Sequence, residues 1–410
     1  MQTLWQDLRY GARMLLKKPG FILITTVMFG LGSVMAAEFL SKAHAVFLPD
    51  GVVVDGHSVS ASSSIAHQDK VATDPAHNFA VQKLAEGVYA VIRQEPPGFM
   101  VDANNVFIIN EEDVIVIDAN GAPAITTQVL AALRKLTSKP VKYVINTHYH
   151  DDHIRGNQVY RAAFPGVEFI AHTFARDYLP KQGVQNRKNF LDDAPGFLAE
   201  LKSALAKNKS LLGGDLTVEE RASLESDIRL AELVLGEGVI AQTVLPTITV
   251  ADRLTLHRGA RVIDIRHPGN GHTAADLVVH LPQEGILITG DLVVWPVPLV
   301  GNPQSHIGEW AETLDQLRAL RPSIIVPGHG PVLRDDTYLK TLSAMFAFVS
   351  KQAAAAVARG ETLEQARKSV NLTEFRQQLA GDSPVRKLLF GSYVAFPAVA
   401  AAYEEAKARR

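Results

Sequence analysis

Residues 147–153 read Thr-His-Tyr-His-Asp-Asp-His, and this stretch decides the fold. Three imidazoles and two carboxylates stand within six consecutive residues of it. Residues 141–145, just before it, are mostly β-branched or apolar and predict a buried strand, whereas residues 158–163 predict a helix. The cluster is therefore expected on a turn at the carboxyl end of a strand, where open α/β sheets place their ligands.

The spacing of the cluster predicts two metal positions. In an extended segment, residues i and i+2 point to the same side, so His148 and His150 can hold one ion. Asp152 and His153 follow where the chain turns, so they can face a second ion nearby. Imidazole and carboxylate groups are ligands that a borderline cation such as zinc accepts.

The two residues between these ligands, Tyr149 and Asp151, would point to the opposite face and are given no role. The alternative interpretation of the whole stretch is a solvated polar turn. Five metal-binding groups in six positions after a buried strand disfavour that alternative.

Three later segments each follow a predicted strand with a glycine-bearing turn that carries one His or Asp. They read Gly-His-Thr at residues 271–273, Gly-Asp at residues 290–291 and Pro-Gly-His-Gly at residues 327–330. The predicted strands before them are residues 261–265, 285–288 and 323–326. Each motif alone is weak, but their order after the first cluster makes the set specific.

This series, HxHxDH, GHT, GD and PGHG, resembles the metallo-β-lactamase superfamily over residues 80–335. The resemblance implies an α/β fold, an αββα sandwich with two metal ions at one edge. By position, the implied ligands are His148, His150 and His272 for the first ion, Asp152, His153 and His329 for the second, and Asp291 for both. Asp118 and Thr273 would support these ligands without touching metal.

The residue at position 291 bears on the substrate. The true lactamases of this superfamily carry Cys or Ser there, whereas Asp291 resembles glyoxalase II and related hydrolases. The resemblance thus implies a hydrolase with two zinc ions, or other divalent metals, that acts on a small acyl substrate: a lactam, ester or thioester. A hydroxide shared by the two ions would attack the acyl carbonyl, and Asp152 would orient it and shuttle its proton.

Four alternatives stay open at this point. They are a β-lactamase proper, a glyoxalase II-like thioesterase, a diiron redox protein and a non-enzymatic, metal-stabilised binding protein. The diiron class would want Glu in place of His150 and a flavin domain, which this sequence lacks. Every ligand position that the resemblance implies is occupied by His or Asp, which disfavours a non-enzymatic binding protein.

Two residues are candidates for a substrate wall. Trp295 opens an apolar segment directly after the Asp291 motif, and Arg155 stands where the family usually has Gly. Their alternative interpretations are a loop that covers the core and a solvent-facing arginine on the first helical turn.

Composition sets broad limits on function. The chain has 410 residues, 47% of them hydrophobic, which is enough for one large core plus appendages. A net charge of −2 disfavours a nucleic-acid partner. The absence of Cys excludes disulfides and thiolate metal sites. Nothing in the sequence indicates the oligomeric state.

The remaining segments define the predicted domain organisation. Residues 1–45 join a basic start to an uncharged apolar run and predict a signal peptide or a membrane anchor, hence an exported (periplasmic or extracellular) or membrane-anchored protein. Their first 35 residues also resemble the N-terminus of MacB-type transporter permeases. The further predicted segments are a linker at 46–76, the metallo-β-lactamase-like domain at 77–335 with a helical insertion at 174–245, and a helical C-terminal extension at 336–410.

Overall fold

The computed structural model describes residues 72–74, 78–238, 241–301 and 304–409. The predicted signal peptide or anchor, the transporter-like start and most of the predicted linker lie outside these residues. Within the linker, strand β1 (Ala72–Asp74) pairs antiparallel with β2 (Phe79–Ala85). The first sheet therefore begins inside the segment that was predicted to be a linker.

The first sheet has eight strands in chain order, β1 to β8. Strands β1 to β5 are antiparallel neighbours, whereas β5 to β8 run parallel. The strands after β2 are β3 (Val88–Arg93), β4 (Asn105–Ile109), β5 (Val114–Ile117), β6 (Val141–Ile145), β7 (Glu168–His172) and β8 (Ile248–Val250). The parallel pairs place the carboxyl ends of β5, β6 and β7 at one edge of the sheet.

The second sheet has five strands in the order β13-β12-β11-β10-β9. Only the β12 and β13 pair is parallel. The strands are β9 (Arg253–Arg258), β10 (Arg261–Arg266), β11 (Val278–Leu281), β12 (Ile286–Val294) and β13 (Ile324–His329).

Helices cover both sheets. Those of the first half are α1 (Pro123–Leu136), α2 (Asp151–Ile154), α3 (Asn157–Ala163), α4 (Thr173–Tyr178), α5 (Val184–Ala206) and α6 (Val218–Gly238). Those of the second half are α7 (Ile307–Ala319), α8 (Thr337–Ala358), α9 (Leu363–Ser369), α10 (Thr373–Ala380), α11 (Pro384–Phe390) and α12 (Phe396–Ala408). Two π-helical turns, Leu179–Gly183 and Gly391–Ala395, link α4 to α5 and α11 to α12.

A core of strand residues lies between the two sheets. Alternate residues of each strand enter it, as Ile115 and Ile117 do from β5 and Ile263 and Ile265 from β10. The intervening residues of β5, Val114 and Val116, instead join the cluster that contains the helices. This period of two buries both faces of each sheet, at about 1.5–3 kcal/mol for each large apolar side chain. The predicted αββα sandwich is confirmed.

The segment from α4 to α6 is the predicted helical insertion. Its second long helix begins at a capping box: the Thr217 hydroxyl accepts from the Glu220 backbone N–H, and the Glu220 carboxylate accepts from the Thr217 backbone N–H. The side chain of Asp227 in α6 reaches back to the main domain. It accepts backbone hydrogen bonds from Phe99 at 3.0 Å and Met100 at 2.8 Å.

The C-terminal extension is helical, as predicted, and packs against α7. Residues 384–408 do not form one uninterrupted α-helix, because the π-helical turn separates α11 from α12. Among the described residues, α8 and residues 384–408 are apolar and long enough to span a membrane. However, the two segments contact each other, and 44% and 67% of their most apolar 18-residue stretches are buried inside the protein.

Candidate metal centre

The seven predicted ligands lie at one edge of the sandwich, where strands of both sheets end. His148 and His150 occupy the extended segment after β6, and Asp152 and His153 lie on the short helix α2. The four residues of α2 turn the chain sharply, so that side chains close in sequence face two neighbouring positions. His272 comes from the loop between β10 and β11.

Asp291 and His329 lie within strands rather than after them, which corrects the predicted strand ends. Strand β12 continues to Val294, and β13 includes His329. The pairing of these strands shifts register between Ile288 and Gly290 and again before Val294. These irregularities let the strand continue while the Asp291 side chain faces the site.

The first group consists of His148, His150 and His272. Nδ1 of His150 lies 3.1 Å from Nε2 of His148 and 2.9 Å from Nε2 of His272. Oδ2 of Asp291 lies 4.0 Å from Nε2 of His148 and 3.6 Å from Nε2 of His272. One carboxylate oxygen therefore faces two of the three imidazoles, those of His148 and His272.

The second group consists of Asp152, His153 and His329. Nε2 of His329 lies 3.3 Å from Nε2 of His153 and 3.2 Å from Oδ2 of Asp152. Oδ1 of Asp291 lies 3.2 Å from Nε2 of His153 and 3.3 Å from Nε2 of His329. The two oxygens of Asp291 thus face the two groups separately, as a bridging ligand requires.

The nitrogen that faces away from the centre is bound to an acceptor in four of the imidazoles. The Nδ1 acceptors are Asp118 for His153 at 2.8 Å, the Leu299 carbonyl for His272 at 2.7 Å and the Asp102 carbonyl for His329 at 3.0 Å. Nε2 of His150 lies 2.7 Å from Oε1 of Gln304. These acceptors fix the tautomers so that each inner nitrogen presents its lone pair to the centre.

Asp118 holds the first ligand loop from behind. Its carboxylate accepts from the Thr147 backbone N–H at 2.8 Å and from the Thr147 hydroxyl at 2.7 Å, besides binding His153. The residue has a φ of 58°, a left-handed conformation that Asp tolerates better than most residues. Asp118 thus contacts both Thr147 and His153 from behind the ligand loop.

Thr273 holds the second loop through a residue that the sequence did not single out. Its backbone N–H and hydroxyl donate to the two oxygens of Asp276, at 2.9 Å and 2.6 Å. Burial raises the pKa of Asp276 to about 7. The backbone N–H of Leu277 then donates to the Thr147 carbonyl at 2.7 Å, which ties this loop to the first one.

The charges of the centre differ between its two groups. Burial lowers the pKa of His272 to about 3 and also lowers the pKa of His148. Burial opposes the charge on His329 too, but the carboxylates of Asp291 and Asp152 outweigh it and raise its pKa to about 10. Cation binding would displace the protons that His329 and His153 otherwise hold.

The residues present fit a pair of cations. Oδ1 of Asp291 is buried and makes no regular hydrogen bond among the described residues. Inner nitrogens of neighbouring imidazoles lie 2.9–3.3 Å apart, a spacing that brings lone pairs together. All ligands are nitrogen or oxygen atoms of His and Asp, which suits zinc and similar divalent ions.

A cavity of about 120 Å³ opens onto this centre. His150, Asp152 and Asp291 line it, and so do Tyr149 and Asp151. The prediction that these last two residues point away and have no role was wrong in its geometry, because α2 begins at Asp151 and breaks the extended alternation. Tyr149 stacks on Tyr178 with ring centroids 4.2 Å apart, so the insertion forms part of the wall.

The two candidate wall residues lie in different places. Arg155 lines the cavity and is buried, not solvent-facing, with its guanidinium 2.5 Å from Asp151. Trp295 lines a neighbouring cavity of about 80 Å³ that also contains His329. The guanidinium of Arg386 in α11 lies 4.6 Å from the Trp295 ring centroid.

Several residues around the centre carried no local sequence signal. Gln304, Asp102 and Leu299 contact ligands far from them in sequence; Gln304, for example, is 154 residues from His150. Tertiary pairing alone brings them together, so no motif spacing could have indicated them.

The αββα sandwich and its His and Asp cluster define a metal-dependent hydrolase. The family description "Metallo-beta-lactamase superfamily" matches residues 100–329, which is more than half of the chain. The chain therefore belongs to the metallo-β-lactamase superfamily.

Parts of this chain are similar to known proteins. A linear primary-alkylsulfatase from Pseudomonas sp. is 26% identical over 299 residues, which cover 68% of this chain and 52% of the relative, about half its length. A metallo-beta-lactamase type 2 from Bacteroides fragilis is 23% identical over 62% of this chain and 80% of its own. A solved metallo-beta-lactamase from Pontibacter korlensis aligns with a TM-score of 0.46 at 19% identity, covering 65% of this chain and 99% of its own.

Proposed function

We propose that the protein is a binuclear zinc hydrolase that cleaves acyl esters or thioesters and turns over lactams only weakly. One observation carries this proposal: the oxygens of Asp291 lie within 3.2–4.0 Å of imidazoles in both groups. A non-enzymatic scaffold would have no need for a carboxylate shared between two positions beside an open cavity. His150 stands where a diiron protein would want Glu.

Each residue then has a defined task. The first group and the second group would each hold one zinc ion, with Asp291 between them. When bound, zinc supplies Lewis acidity and a nucleophile at neutral pH. Asp152 lines the cavity, and its Oδ2 lies 3.2 Å from Nε2 of His329; it would orient the nucleophile and pass its proton on. The buried Nδ1 hydrogen bonds keep the imidazoles from turning away.

The residue at position 291 supports ester or thioester cleavage over lactam cleavage. An aspartate there adds negative charge that Ser would not bring, and it resembles the thioesterases of the superfamily. Lactam hydrolysis should therefore be the weaker activity.

A second candidate is hydrolysis of a sulfate ester. The alkylsulfatase likeness extends over 68% of this chain, and two arginines, Arg155 and Arg187, line the cavity. A sulfate ester is anionic at its reacting group, so it would be attracted to guanidinium groups near the ions.

The first test is the metal content of the purified protein and of Asp291→Asn. The wild type should hold about two zinc ions per chain by mass spectrometry. The variant should lose one ion and at least about a hundredfold in kcat while keeping its circular dichroism spectrum, because an amide cannot bridge two cations. His257→Gln, an exposed histidine outside the cluster, is the control. Full metal content and unchanged kcat in Asp291→Asn would overturn the bridging role.

The second test compares substrates. The measurement is kcat/KM for a penicillin, an aryl ester, a thioester and an alkyl sulfate, each with the zinc-loaded protein. The ester or thioester should give the highest value. A lactam value near the range of about 10⁴–10⁸ M⁻¹s⁻¹, with the others far lower, would make the protein a lactamase. The same outcome for the alkyl sulfate would select the second candidate.

A further inference from the structure

Two arginines line the cavity beside the predicted metal ligands. Apart from the predicted metal ligands, its charged lining side chains are Arg155, Arg187 and Asp151. Arg155 comes from the end of the α2 turn, and Arg187 comes from α5 in the helical insertion. Two guanidinium groups therefore face one carboxylate beside the metal centre.

Both arginines are held in place around Asp151. Oδ1 of Asp151 lies 2.5 Å from Arg155, and Oδ2 lies 3.8 Å from Nη1 of Arg187. Arg155 also donates to the Thr243 hydroxyl at 3.1 Å. The side chains are 4% exposed for Arg155 and 14% exposed for Arg187, so these groups face the cavity rather than bulk water.

The guanidinium of Arg155 is not fully satisfied by the protein. Nε of Arg155 is buried and has no hydrogen-bond partner among the described residues. A buried guanidinium donor without a partner costs free energy unless a ligand supplies an acceptor. Burial and the nearby Arg155 lower the pKa of Arg187 to about 10, a value that still leaves it charged at neutral pH.

The rest of the cavity wall is apolar. It includes Met100, Val101, Phe190, Leu191, Val234 and Leu299. Three of these residues, Phe190, Leu191 and Val234, belong to the insertion, as Arg187 does. The insertion thus contributes both a cation and an apolar surface to the cavity wall.

We propose that Arg187 and Arg155 bind an anionic oxygen group of the substrate that is separate from the bond to be cleaved. This inference rests on the proposed acyl hydrolysis and names its substrate class: apolar acyl compounds with a carboxylate or sulfonate at a distance from the scissile carbonyl. Guanidinium groups recognise such oxyanions by paired hydrogen bonds. The apolar side chains bury the part of the substrate between the two ends.

The kinetic test uses two esters of equal length, 4-nitrophenyl octanoate and mono-4-nitrophenyl octanedioate, which differ by a terminal carboxylate. The wild type should prefer the anionic ester. Arg187→Gln should lose that preference by about tenfold or more, chiefly through KM, because it removes a charge-assisted hydrogen bond. Arg187→Lys should keep part of the preference. Lys188→Gln, which removes an exposed cation from the same helix, should match the wild type.

A binding test distinguishes a failure of the anion site from a failure of the proposed acyl hydrolysis. Calorimetry of the zinc-loaded protein with octanoate, octanedioate and 8-sulfooctanoate needs no turnover. The two dianions should bind more tightly than octanoate in the wild type, and Arg187→Gln should remove the difference. If no ester is hydrolysed but this difference is found, the anion site stands and the acyl chemistry fails. Equal binding of all three probes by the wild type would overturn the anion site, and so would a difference that Arg187→Gln leaves intact.

Discussion

Two glycines allow the backbone to pass very close to Asp291 and the first ligand loop. A Cβ on Gly328 would lie 1.9 Å from Oδ1 of Asp291. A Cβ on Gly290 would lie 2.5 Å from that of Thr147, and Gly290 also has a φ of 52°. The glycines of the Gly-Asp and Pro-Gly-His-Gly motifs are therefore needed for close packing, as the Asp and His are needed as ligands. A side chain at Gly328 would displace Asp291, and one at Gly290 would displace Thr147.

We expect Gly328→Ala to disturb metal binding more than folding. The added methyl group must push the Asp291 carboxylate away from its shared position, so zinc affinity should fall by at least about tenfold. Competition with a chromogenic chelator measures the affinity, and thermal unfolding of the metal-free protein measures stability. Gly166→Ala is the matched control, because a Cβ there meets nothing within 4 Å. Unaltered zinc affinity in Gly328→Ala would contradict the close approach.

At the scale of elements, the sequence predicted the strands well and the turns poorly. Strand β6 has the predicted bounds, residues 141–145, because β-branched and apolar residues identify it locally. The side-chain directions of Tyr149 and Asp151 were missed, because the helical turn α2 starts where extended geometry had been assumed. Residues such as Gln304 contact the ligands only through the assembled fold, so a local pattern cannot reveal them.

The helical insertion is fastened to the cavity wall by a buried acid. Asp227 in α6 binds the backbone of Phe99 and Met100, and Phe99 packs edge-on against Phe197 of α5 with ring centroids 5.9 Å apart. Tyr393 from the C-terminal extension donates to the Phe99 carbonyl at 2.9 Å. Insertion, main domain and extension thus meet at one loop beside the cavity.

This acid should make stability depend on pH. Burial raises the pKa of Asp227 to about 7, whereas an unfolded aspartate has a pKa of about 3.9. The folded state therefore holds this proton more tightly, and the associated stability is lost as pH rises from about 4 through about 7. Asp227→Asn stays neutral, so its free energy of unfolding should fall less between about pH 5 and about pH 8 than that of the wild type.

Urea unfolding across this pH range measures the difference. Asp227→Asn also exchanges one carboxylate oxygen for an amide group, which should lower stability by a roughly constant amount at every pH. Glu225→Gln, an exposed acid on the same helix, should keep the wild-type pH dependence. Parallel curves for Asp227→Asn and the wild type would show that Asp227 does not carry this effect.

At the scale of the whole molecule, the metal centre joins parts of the chain that are far apart in sequence. The resemblance to the superfamily, which the sequence shows over residues 80–335, is confirmed by a match over residues 100–329. The C-terminal extension adds to it directly: the Glu405 carboxylate accepts the backbone N–H groups of Ile307 and Gly308 at 2.7 Å and 2.8 Å, at the start of α7. Composition alone predicted helices there but not this contact.

We propose that the chain is exported or anchored in a membrane through residues 1–45, on the evidence of their basic and apolar pattern. A reporter that is active only outside the cytoplasm, fused after Ala45, should be active. A fusion that replaces the apolar residues 21–29 with a polar segment is the control and should be inactive. Activity of a cytoplasmic reporter alone would refute export.

The order of the ligands along the chain has a consequence during protein synthesis. Four of the predicted ligands leave the ribosome together between residues 148 and 153, whereas the others follow at residues 272, 291 and 329. A nascent chain that has emerged as far as Asp291 already possesses every ligand of the first group but lacks His329 of the second. Strand β12 at that stage also lacks its parallel neighbour β13. If each group holds one ion, as we propose, the second group could therefore bind its ion only once the last strand has been made.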